Sequence, residues 1–255
     1  MLTKWKALPL LALLLLYSGN LYADELISLK AGYQVLSPEG TIAGTINGVG
    51  EKVDVQDDLD LKDSEEFTGE IALSWGNSRL SLNYLPIDFS GTGTLSKAIE
   101  INGQVFNANT TVQSDLTIDL YDFGYTYFLL NFDDTPVRFQ LGPELGVKIA
   151  DADFSVKDTG VTNESESESV IAPIPTIGAR ARIAFSDFLG ITGRIGYMEY
   201  DGNHFMDAEA QVEFSPVPLV GLYAGYRYFD LKIDEDKLYV ETEISGPFAG
   251  VLIRF

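Results

Sequence analysis

The sequence predicts an all-β fold: an up-and-down antiparallel transmembrane β-barrel of ten strands, with eight as the alternative count and with long acidic outer loops. The last ten residues alternate with a period of two, so that Val251, Ile253 and Phe255 share one face, as expected for a strand between two environments. Nine further segments alternate in the same way. The connections between them are alternately short turns and longer polar loops, which is typical of outer-membrane barrels. No run of about eighteen apolar residues follows residue 23, so no helical span is expected.

The N-terminus predicts an export signal. Lys4 and Lys6 precede an apolar stretch over residues 7–17, and a polar stretch then ends at Ala23, which is the pattern of a cleaved signal peptide. The alternative is a retained anchor, but about eleven apolar residues are too few to span a bilayer as a helix. We therefore expect a signal peptide over residues 1–23, a barrel domain over residues 24–255, and a location in the cell outer membrane of Gram-negative type.

Composition excludes several classes of function. The formal net charge is −21, which argues against nucleic-acid binding because that affinity comes from Lys and Arg on phosphates. The chain has no cysteine, which excludes a lipoprotein anchor, a disulfide scaffold and a thiolate metal site. No cofactor and no metal site are expected.

Strands one to five are predicted at about residues 26–36, 67–76, from 79, 115–130 and 137–149. In each, aliphatic or aromatic residues share one face, and polar residues or glycines share the other. Strand four changes phase, because Leu116, Ile118 and Leu120 keep one parity whereas Tyr121 and Phe123 take the other. A β-bulge near Leu120 would reconcile the two halves.

Strands six to ten are predicted at about residues 171–185, 188–200, 205–214, 219–231 and 239–255. Even-numbered strands end in short turns such as Asn77-Ser78 and Ser186-Asp187, and odd-numbered strands end in long or polar loops. Asn102-Gly103 lies between β-prone segments and predicts a hairpin that extends above the membrane. This asymmetry indicates turns in the periplasm and loops outside the cell.

Aromatic residues recur at both ends of the predicted strands. Strands that run towards the turns end at Trp75, Phe185, Phe214 and Phe255, and strands that run towards the loops finish their apolar faces near Tyr197 and Tyr226. Two rings of aromatics are what two membrane interfaces select. A soluble periplasmic barrel or sandwich is the alternative, but it would need a second sheet over the aliphatic faces.

The opposite strand faces carry charged residues that we expect to line the lumen: Lys30, Glu70, Arg138, Glu144, Lys148, Arg180, Arg182, Arg194, Glu209, Glu213, Arg227 and Arg254. In a ten-stranded barrel such side chains can form a salt-bridged plug, since small barrels are usually filled by their side chains. They can also line a narrow pore whose net positive charge favours anions. The function predicted first is a structural or surface-exposed membrane protein, and the pore is second.

An enzyme at the outer rim is a distant third reading. His204 is the only histidine, so histidine-based catalysis would need it. The segment Asp201-Gly202-Asn203-His204 does not reproduce the Asp-x-His of omptin proteases, and Phe205-Met206 does not supply the His-x-Ser of lipid A deacylases. We expect no catalytic residue, and a polar loop role for His204 beside Asp201 and Asp207.

Two stretches resemble small proteobacterial outer-membrane β-barrel proteins: KVDVQDDLDLKDSEEFTGEIALSWGNSRLSLNYLPIDFSGTGTL from Lys52, and the ending YAGYRYFDLKI…GPFAGVLIRF. The motifs that carry the resemblance are the acidic DxxDLxL loop, the Trp that ends strand two and the C-terminal Phe. The resemblance implies the fold and the location but no catalytic residues. It also implies that the C-terminal Phe255 is the signal read by the outer-membrane assembly machinery. The expected partners are that machinery, outer-membrane lipid and lipopolysaccharide; the acidic loops either bind divalent cations there or serve only for solvation. The sequence does not predict an oligomeric state.

Overall fold

The computed structural model describes residues 26–46, 49–101, 104–132, 135–160, 165–217, 219–235 and 238–255. The predicted signal peptide over residues 1–23 lies outside the described residues. Within them, the chain forms fourteen strands, β1 to β14, and no helix long and apolar enough to cross a membrane.

Ten strands close into one antiparallel barrel, as predicted, and the alternative of eight is wrong. Consecutive barrel strands pair with each other, and β1 pairs with β14 through Ser28 and Arg254 to close the cylinder. The barrel strands are β1 (Ile27–Ile46), β3 (Ser64–Trp75), β4 (Ser78–Thr94), β7 (Thr111–Tyr127), β9 (Arg138–Asp158), β10 (Ser165–Ser186), β11 (Leu189–Tyr200), β12 (Asn203–Val217), β13 (Val220–Glu235) and β14 (Leu238–Arg254).

Four short strands complete the fold: β2 (Val49–Asp54), β5 (Ile99–Ile101), β6 (Gln104–Phe106) and β8 (Leu130–Phe132). β2 pairs with the far end of β1. β5 and β6 pair as the predicted hairpin, whose turn residues lie outside the described part of the chain. This hairpin does not simply extend outwards, because Ile99 and Phe106 are buried.

Short connections at residues 76–77 and 187–188 mark one end of the barrel, which we name the turn end, and the opposite end is the loop end. Along β4, the outward side chains change character between these ends. Leu80, Leu82 and Tyr84 are exposed apolar or aromatic residues nearer the turns, whereas Asp88 and Ser90 are the exposed residues beyond them. An apolar band of limited height is what a bilayer requires, and the remainder of β4 continues beyond that band.

The interior changes in the opposite sense. On β4, the inward residues Ser81 and Asn83 give way to Leu85, Ile87 and Phe89, all of them buried. β7 shows the same exchange, and its pairing with β4 runs without a register shift from Thr111 to Tyr127. The predicted bulge near Leu120 is therefore wrong: Leu116, Ile118 and Leu120 face inward because the interior of the loop end is apolar.

The irregularity in this strand lies at Phe128 and Leu129, between β7 and β8. Phe128 turns inward and is buried, while Leu129 is exposed. β8 then continues the pairing with β9 through Leu130 and Leu141.

Candidate functional site: the closed lumen

Ion pairs fill the interior of the barrel between the turn end and the apolar part of the loop end. We name this set of side chains the lumen network. Its carboxylates, among the described residues, are Glu70, Asp122, Glu144, Asp207, Glu209 and Glu213, and its cations are Lys30, Arg79, Lys148, Arg180, Arg182, Arg194, Arg227 and Arg254. They come from all ten barrel strands and meet in the lumen because a closed barrel turns one face of every strand inward.

The upper layer of the network, nearer the loop end, is centred on Arg194. Its guanidinium lies 3.0 Å from Asp122 and 2.9 Å from Asp207, and within 3.7 Å of Glu144 and Glu209. Lys148, which is only 1% exposed, bridges the first two carboxylates at 2.9 and 2.8 Å. Side chains on four different strands are thus tied together by two cations.

Two further arginines complete the upper layer. The Arg180 Nε donates to Glu144 at 2.6 Å, and Thr126 donates to the same carboxylate oxygen at 2.7 Å. Arg227 pairs with Glu209 at 2.5 Å and also donates to the Gln34 side chain at 2.8 Å. The layer therefore holds four cations and four carboxylates. Pairing of this kind is what allows charges to remain buried.

The lower layer, nearer the turn end, has a different balance. Lys30 lies 3.5 Å from Glu70 and 3.6 Å from Glu213, and Arg79 pairs with Glu70 at 2.8 Å. Arg254 pairs with Glu213, and Arg182 approaches the same carboxylate at 3.5 Å. Four cations therefore share two carboxylates among the described side chains of this layer.

Little space remains between these side chains. The cavity bounded by Lys30, Glu70, Glu209, Tyr223 and Arg227 measures about 20 Å³, which is room for about one water molecule. A hydrated ion would have to displace paired charges to pass it. The network consequently closes the lumen at mid-height.

A second closure lies above the network, in an apolar cluster that we name the outer core. Inward residues of the barrel wall supply Leu85, Phe89 and Phe205, each at most 6% exposed. The connection between β1 and β3 supplies the cap segment, residues 53–61, which folds into the mouth and buries its apolar side chains, Val53, Val55, Leu59 and Leu61. Burial of such side chains contributes about 1.5–3 kcal/mol each.

The cap segment is held by its own acidic residues. The Asp54 carboxylate accepts the backbone N–H groups of Gln56 and Asp57, both at 2.8 Å. The buried Asp58 accepts the N–H of Asp54 at 2.9 Å and that of Ser96 at 3.0 Å. Burial alone would raise the pKa of Asp58, but hydrogen bonds from Ser96 and Asp54 hold that pKa below its ordinary value. Part of the acidic loop predicted after strand one is therefore an ordered plug.

Two glycines on β4 make room for the cap segment. A Cβ atom at Gly91 would lie 2.3 Å from the backbone oxygen of Asp60, and one at Gly93 would lie 2.1 Å from that of Asp58. Neither distance is compatible with a side chain, so the backbone of the cap segment lies directly against the barrel wall.

The structure places eleven of the twelve predicted lumen residues in the network. The twelfth, Arg138, lies at the mouth of the turn end, where it pairs with the fully exposed Asp187 at 3.2 Å. The predicted interface aromatics all point away from the barrel axis and are 40–53% exposed: Trp75, Phe185, Tyr197, Phe214, Tyr226 and Phe255. Phe255 exchanges backbone hydrogen bonds with Ile27 at the seam of the barrel, and its role in assembly stays a prediction.

Sequence reasoning missed Asp122, Asp207 and Arg79. The bulge expected near Leu120 left it open which face of the strand Asp122 occupies. Its neighbours Tyr121 and Phe123 both point outward, and this pattern indicates that Asp122 points inward. Asp207 was assigned to the outer loop near His204, but it is fully buried on β12. Its parity with Glu209 was the signal that could have placed it.

His204 lies on β12 rather than in a loop, and its nearest acidic partner is Asp230, not Asp201 or Asp207. Its Nε2 lies 3.3 Å from the Asp230 carboxylate, and its ring stacks on Tyr197, with the ring centroids 6.4 Å apart. His204 has the parity of the outward Ala208 and Ala210, opposite to the buried Phe205 and Asp207. The pair thus lies on the outer wall, away from any pocket of the lumen. Within the described part of the chain, no group of three or more acidic or histidine side chains is arranged to hold a metal ion.

No protein-family model and no curated protein sequence matches the chain. Among solved structures, it is similar to the outer-membrane protease OmpT of Escherichia coli, with a TM-score of 0.65 and 11% identity over 93% of this chain and 99% of that one. Further matches are the transport unit of the autotransporter AIDA-I of Escherichia coli (TM-score 0.45, 8% identity, 94% of both chains) and the attachment invasion locus protein Ail of Yersinia pestis (TM-score 0.34, 12% identity, 89% and 98%). The likeness to OmpT shows the fold: the chain is a ten-stranded barrel of the kind found in outer membranes.

Proposed function

We propose that this protein is an integral outer-membrane β-barrel with a sealed lumen, acting as a structural or surface-exposed protein and not as a channel or an enzyme. The observation that carries the proposal is the double closure of the interior. Two chemically different seals, the lumen network and the outer core, occupy the barrel in series. Among the described side chains, the network leaves a cavity of only about 20 Å³ and the outer core is filled by buried apolar residues.

The exterior supports the membrane location. Its apolar band ends at tyrosines whose hydroxyl groups reach carboxylates on the side of the loop end: Tyr84 donates to Asp119 at 2.6 Å, and Tyr197 donates to Glu199 at 2.8 Å. Aromatic residues with one apolar and one polar end suit a membrane–water interface. Beyond this line the outward residues include the acidic Asp88, Asp119 and Glu199, so the proposed partners are lipid on the band and the headgroup region of lipopolysaccharide above it.

The absence of cysteine from the natural sequence allows a direct test of this orientation. Ser90→Cys lies beyond the tyrosine line and is exposed, and Asp187→Cys lies in an exposed turn at the opposite end. A membrane-impermeant maleimide should label Ser90→Cys in intact cells, and should label Asp187→Cys only after lysis. Labelling of Asp187→Cys in intact cells would refute the proposed orientation. Failure of both variants to be labelled after cell lysis would refute the proposed exposure of the two sites.

A flux assay in proteoliposomes can test the contribution of each seal separately. One variant replaces residues 54–61 with a Gly-Ser linker, and a second removes two balanced ion pairs by Arg194→Ala, Asp122→Ala, Arg180→Ala and Glu144→Ala. Wild-type protein and each variant alone should retain chloride, because one seal remains in every case. The combined variant should release it. Chloride efflux through the wild-type protein would contradict the sealed lumen.

An anion-leaning pore is the second candidate, because cations outnumber carboxylates among the described side chains of the lower layer. The excess is confined to that layer, however, and the balanced upper layer lies between it and the loop end. A hydrolase is not proposed, because the His204–Asp230 pair lies on the outer wall rather than in a cleft.

A further inference from the structure

At the loop end, β10 extends well beyond the strand that follows it. β11 pairs with β10 only as far as Ile177, which lies opposite Tyr197. β11 ends at Tyr200, and the same register places that residue level with Ile174. Residues 169–172 of β10 therefore project beyond the end of β11. Among the described residues β9 is their one strand partner, and we name this segment the β10 edge.

Two prolines establish which backbone groups the β10 edge presents. The pairing of β10 with β9 runs without a register shift through Pro173 and Pro175. A proline has no N–H to donate, so the nitrogen atoms of both must point away from β9. Because this direction alternates along a strand, the N–H groups of Ser169 and Ile171 also point away from β9. Ser167, further along the strand, has an interaction of its own and is not counted.

The neighbouring β13, on the other side of the β11–β12 hairpin, shows how such a group can be satisfied within the chain. Beyond the last pair that β13 makes with β12 at this end, the N–H of Asp234 donates to the Asn203 side chain at 2.7 Å. Within the described part of the chain, no side chain does the same for Ser169 or Ile171. Unpaired N–H and C=O groups along a strand edge are a template for another strand.

Exposed apolar side chains accompany these donors above the membrane band. Val170 is 56% exposed and Ile171 is 68% exposed. Ile177 lies opposite the interface residue Tyr197, and the rise of a strand places Ile171 about 20 Å further along β10. Both side chains therefore lie on the water side of the tyrosine line, where a bound strand would bury apolar surface that lipid does not cover.

The surroundings of the β10 edge are acidic. Asp151 and Asp153 of β9 lie directly opposite Ile171 and Ser169 and are exposed. The further carboxylates of this part of the rim are Asp119, Glu166, Glu199 and Asp201, and the described cations are Lys157 and Lys232, while His204 is paired with Asp230. Charge complementarity favours a basic partner. It disfavours a second copy of the same edge, which would bring carboxylates close to carboxylates.

We propose that the β10 edge is a docking site for an extended, basic segment of a partner protein, which adds to β10 as a further strand. The backbone of that segment pairs with Ser169 and Ile171. Its apolar side chains pack on Val170, and its basic side chains face Asp151 and Asp153. The inference adds a binding surface to the proposed surface-exposed role, and it depends neither on the sealed lumen nor on the orientation in the membrane.

Peptide binding to the full-length barrel in phosphatidylcholine nanodiscs tests the proposal. The probe is a short fluorescent peptide of alternating lysine and valine, and its anisotropy is measured at physiological ionic strength. We expect saturable binding to the wild-type protein. The same peptide with every backbone nitrogen methylated keeps its charge but donates no backbone hydrogen bond, and it should bind at least about tenfold more weakly.

Two variants isolate the backbone donors of the β10 edge. Ser169→Pro combined with Ile171→Pro removes both N–H groups, and the natural Pro173 and Pro175 occupy the same phase of β10 while it stays paired with β9. Ser169→Thr combined with Ile171→Thr is the matched control, because it keeps both donors. The proline variant should bind the unmodified peptide at least about tenfold more weakly than the wild type, and the threonine variant should stay within about threefold of it.

Three results would overturn the proposal: no saturable binding to the wild type, equal binding of the methylated peptide, or equal weakening by the threonine and proline variants. Concentration-dependent dimers of the wild type that the proline variant abolishes would assign the edge to a second copy and also overturn it. Heat-modifiability shows whether each variant is folded. If the proline variant does not fold, the methylated peptide on the wild type still decides. None of these measurements depends on chloride flux or on labelling in cells, so their failure is distinct from failure of the proposed function.

Discussion

Replacement of Arg194 by glutamine should destabilise the barrel more than any other single charge removal in its interior. Arg194 contacts four carboxylates, those of Asp122, Glu144, Asp207 and Glu209, within 3.7 Å. The upper layer holds four cations for these four carboxylates, so the variant leaves one buried carboxylate without a counter-charge. Breaking a buried pair by removing one partner costs about 3–5 kcal/mol, and we expect a loss of that size.

The same substitution in the lower layer provides the matched control. Arg182→Gln leaves three cations for Glu70 and Glu213, so no carboxylate becomes uncompensated. Its contact with Glu213 is long, at 3.5 Å, and its side chain is 26% exposed. We therefore expect it to cost less than about 1 kcal/mol, in the range of partly exposed pairs.

A double-mutant cycle decides whether charge balance is the cause. Asp207→Asn combined with Arg194→Gln restores equal numbers of cations and carboxylates, so the double variant should lose less stability than the sum of the single variants, by at least about 1 kcal/mol. Urea unfolding from lipid vesicles measures these free energies. Trp75, the one tryptophan beyond residue 23, reports on lipid contact because it faces outward. Equal costs for Arg194→Gln and Arg182→Gln, or strict additivity in the cycle, would refute the reasoning.

Three further predictions concern the cap segment and the final strand. Gly93→Ala places a Cβ atom 2.1 Å from the Asp58 backbone oxygen; it should cost about 1–3 kcal/mol and increase limited proteolysis near the cap, whereas an unchanged cleavage pattern would contradict the contact. The Asp58 pKa is lower in the folded protein, so its stabilising effect is complete above the unfolded value of about 3.9 and is lost as the pH falls through the folded value. The stability difference between wild type and Asp58→Asn should therefore shrink below about pH 4, and a constant difference from pH 7 to 3 would exclude this role. Deletion of Phe255 should reduce the membrane-inserted, heat-modifiable fraction in cells, and full insertion without it would show that it is not the assembly signal.

The strand number and the inward and outward faces could be predicted because a barrel imposes one rule on every strand. Alternation assigned Arg194 and Glu209 to the lumen and Trp75 and Phe214 to the exterior, and the structure places them there. The rule assumes an apolar exterior and a polar interior along the full strand. It failed on β7 at Leu120, where the interior becomes apolar and the exterior polar, and the inversion was mistaken for a bulge.

The cap segment could not be predicted from the strand pattern, because its burial depends on distant residues. Leu59 is buried among acidic neighbours only because Gly91 and Gly93 leave space on β4. The ion-pair partners within the network could not be predicted from the alternation of single strands either. Lys148 and Asp207 belong to strands that are not neighbours in the barrel, and they meet across the lumen at 2.8 Å.

Single-channel recording in planar bilayers tests the sealed lumen most directly. Purified wild-type barrel, inserted at high salt and shown to be folded by heat-modifiability, should give no unitary current steps over a range of holding potentials. The combined cap and network variant, recorded under the same conditions, should give steps and so show that insertion was productive. Resolvable wild-type steps that disappear in Arg194→Gln would contradict the account and establish a conducting pore through the lumen network.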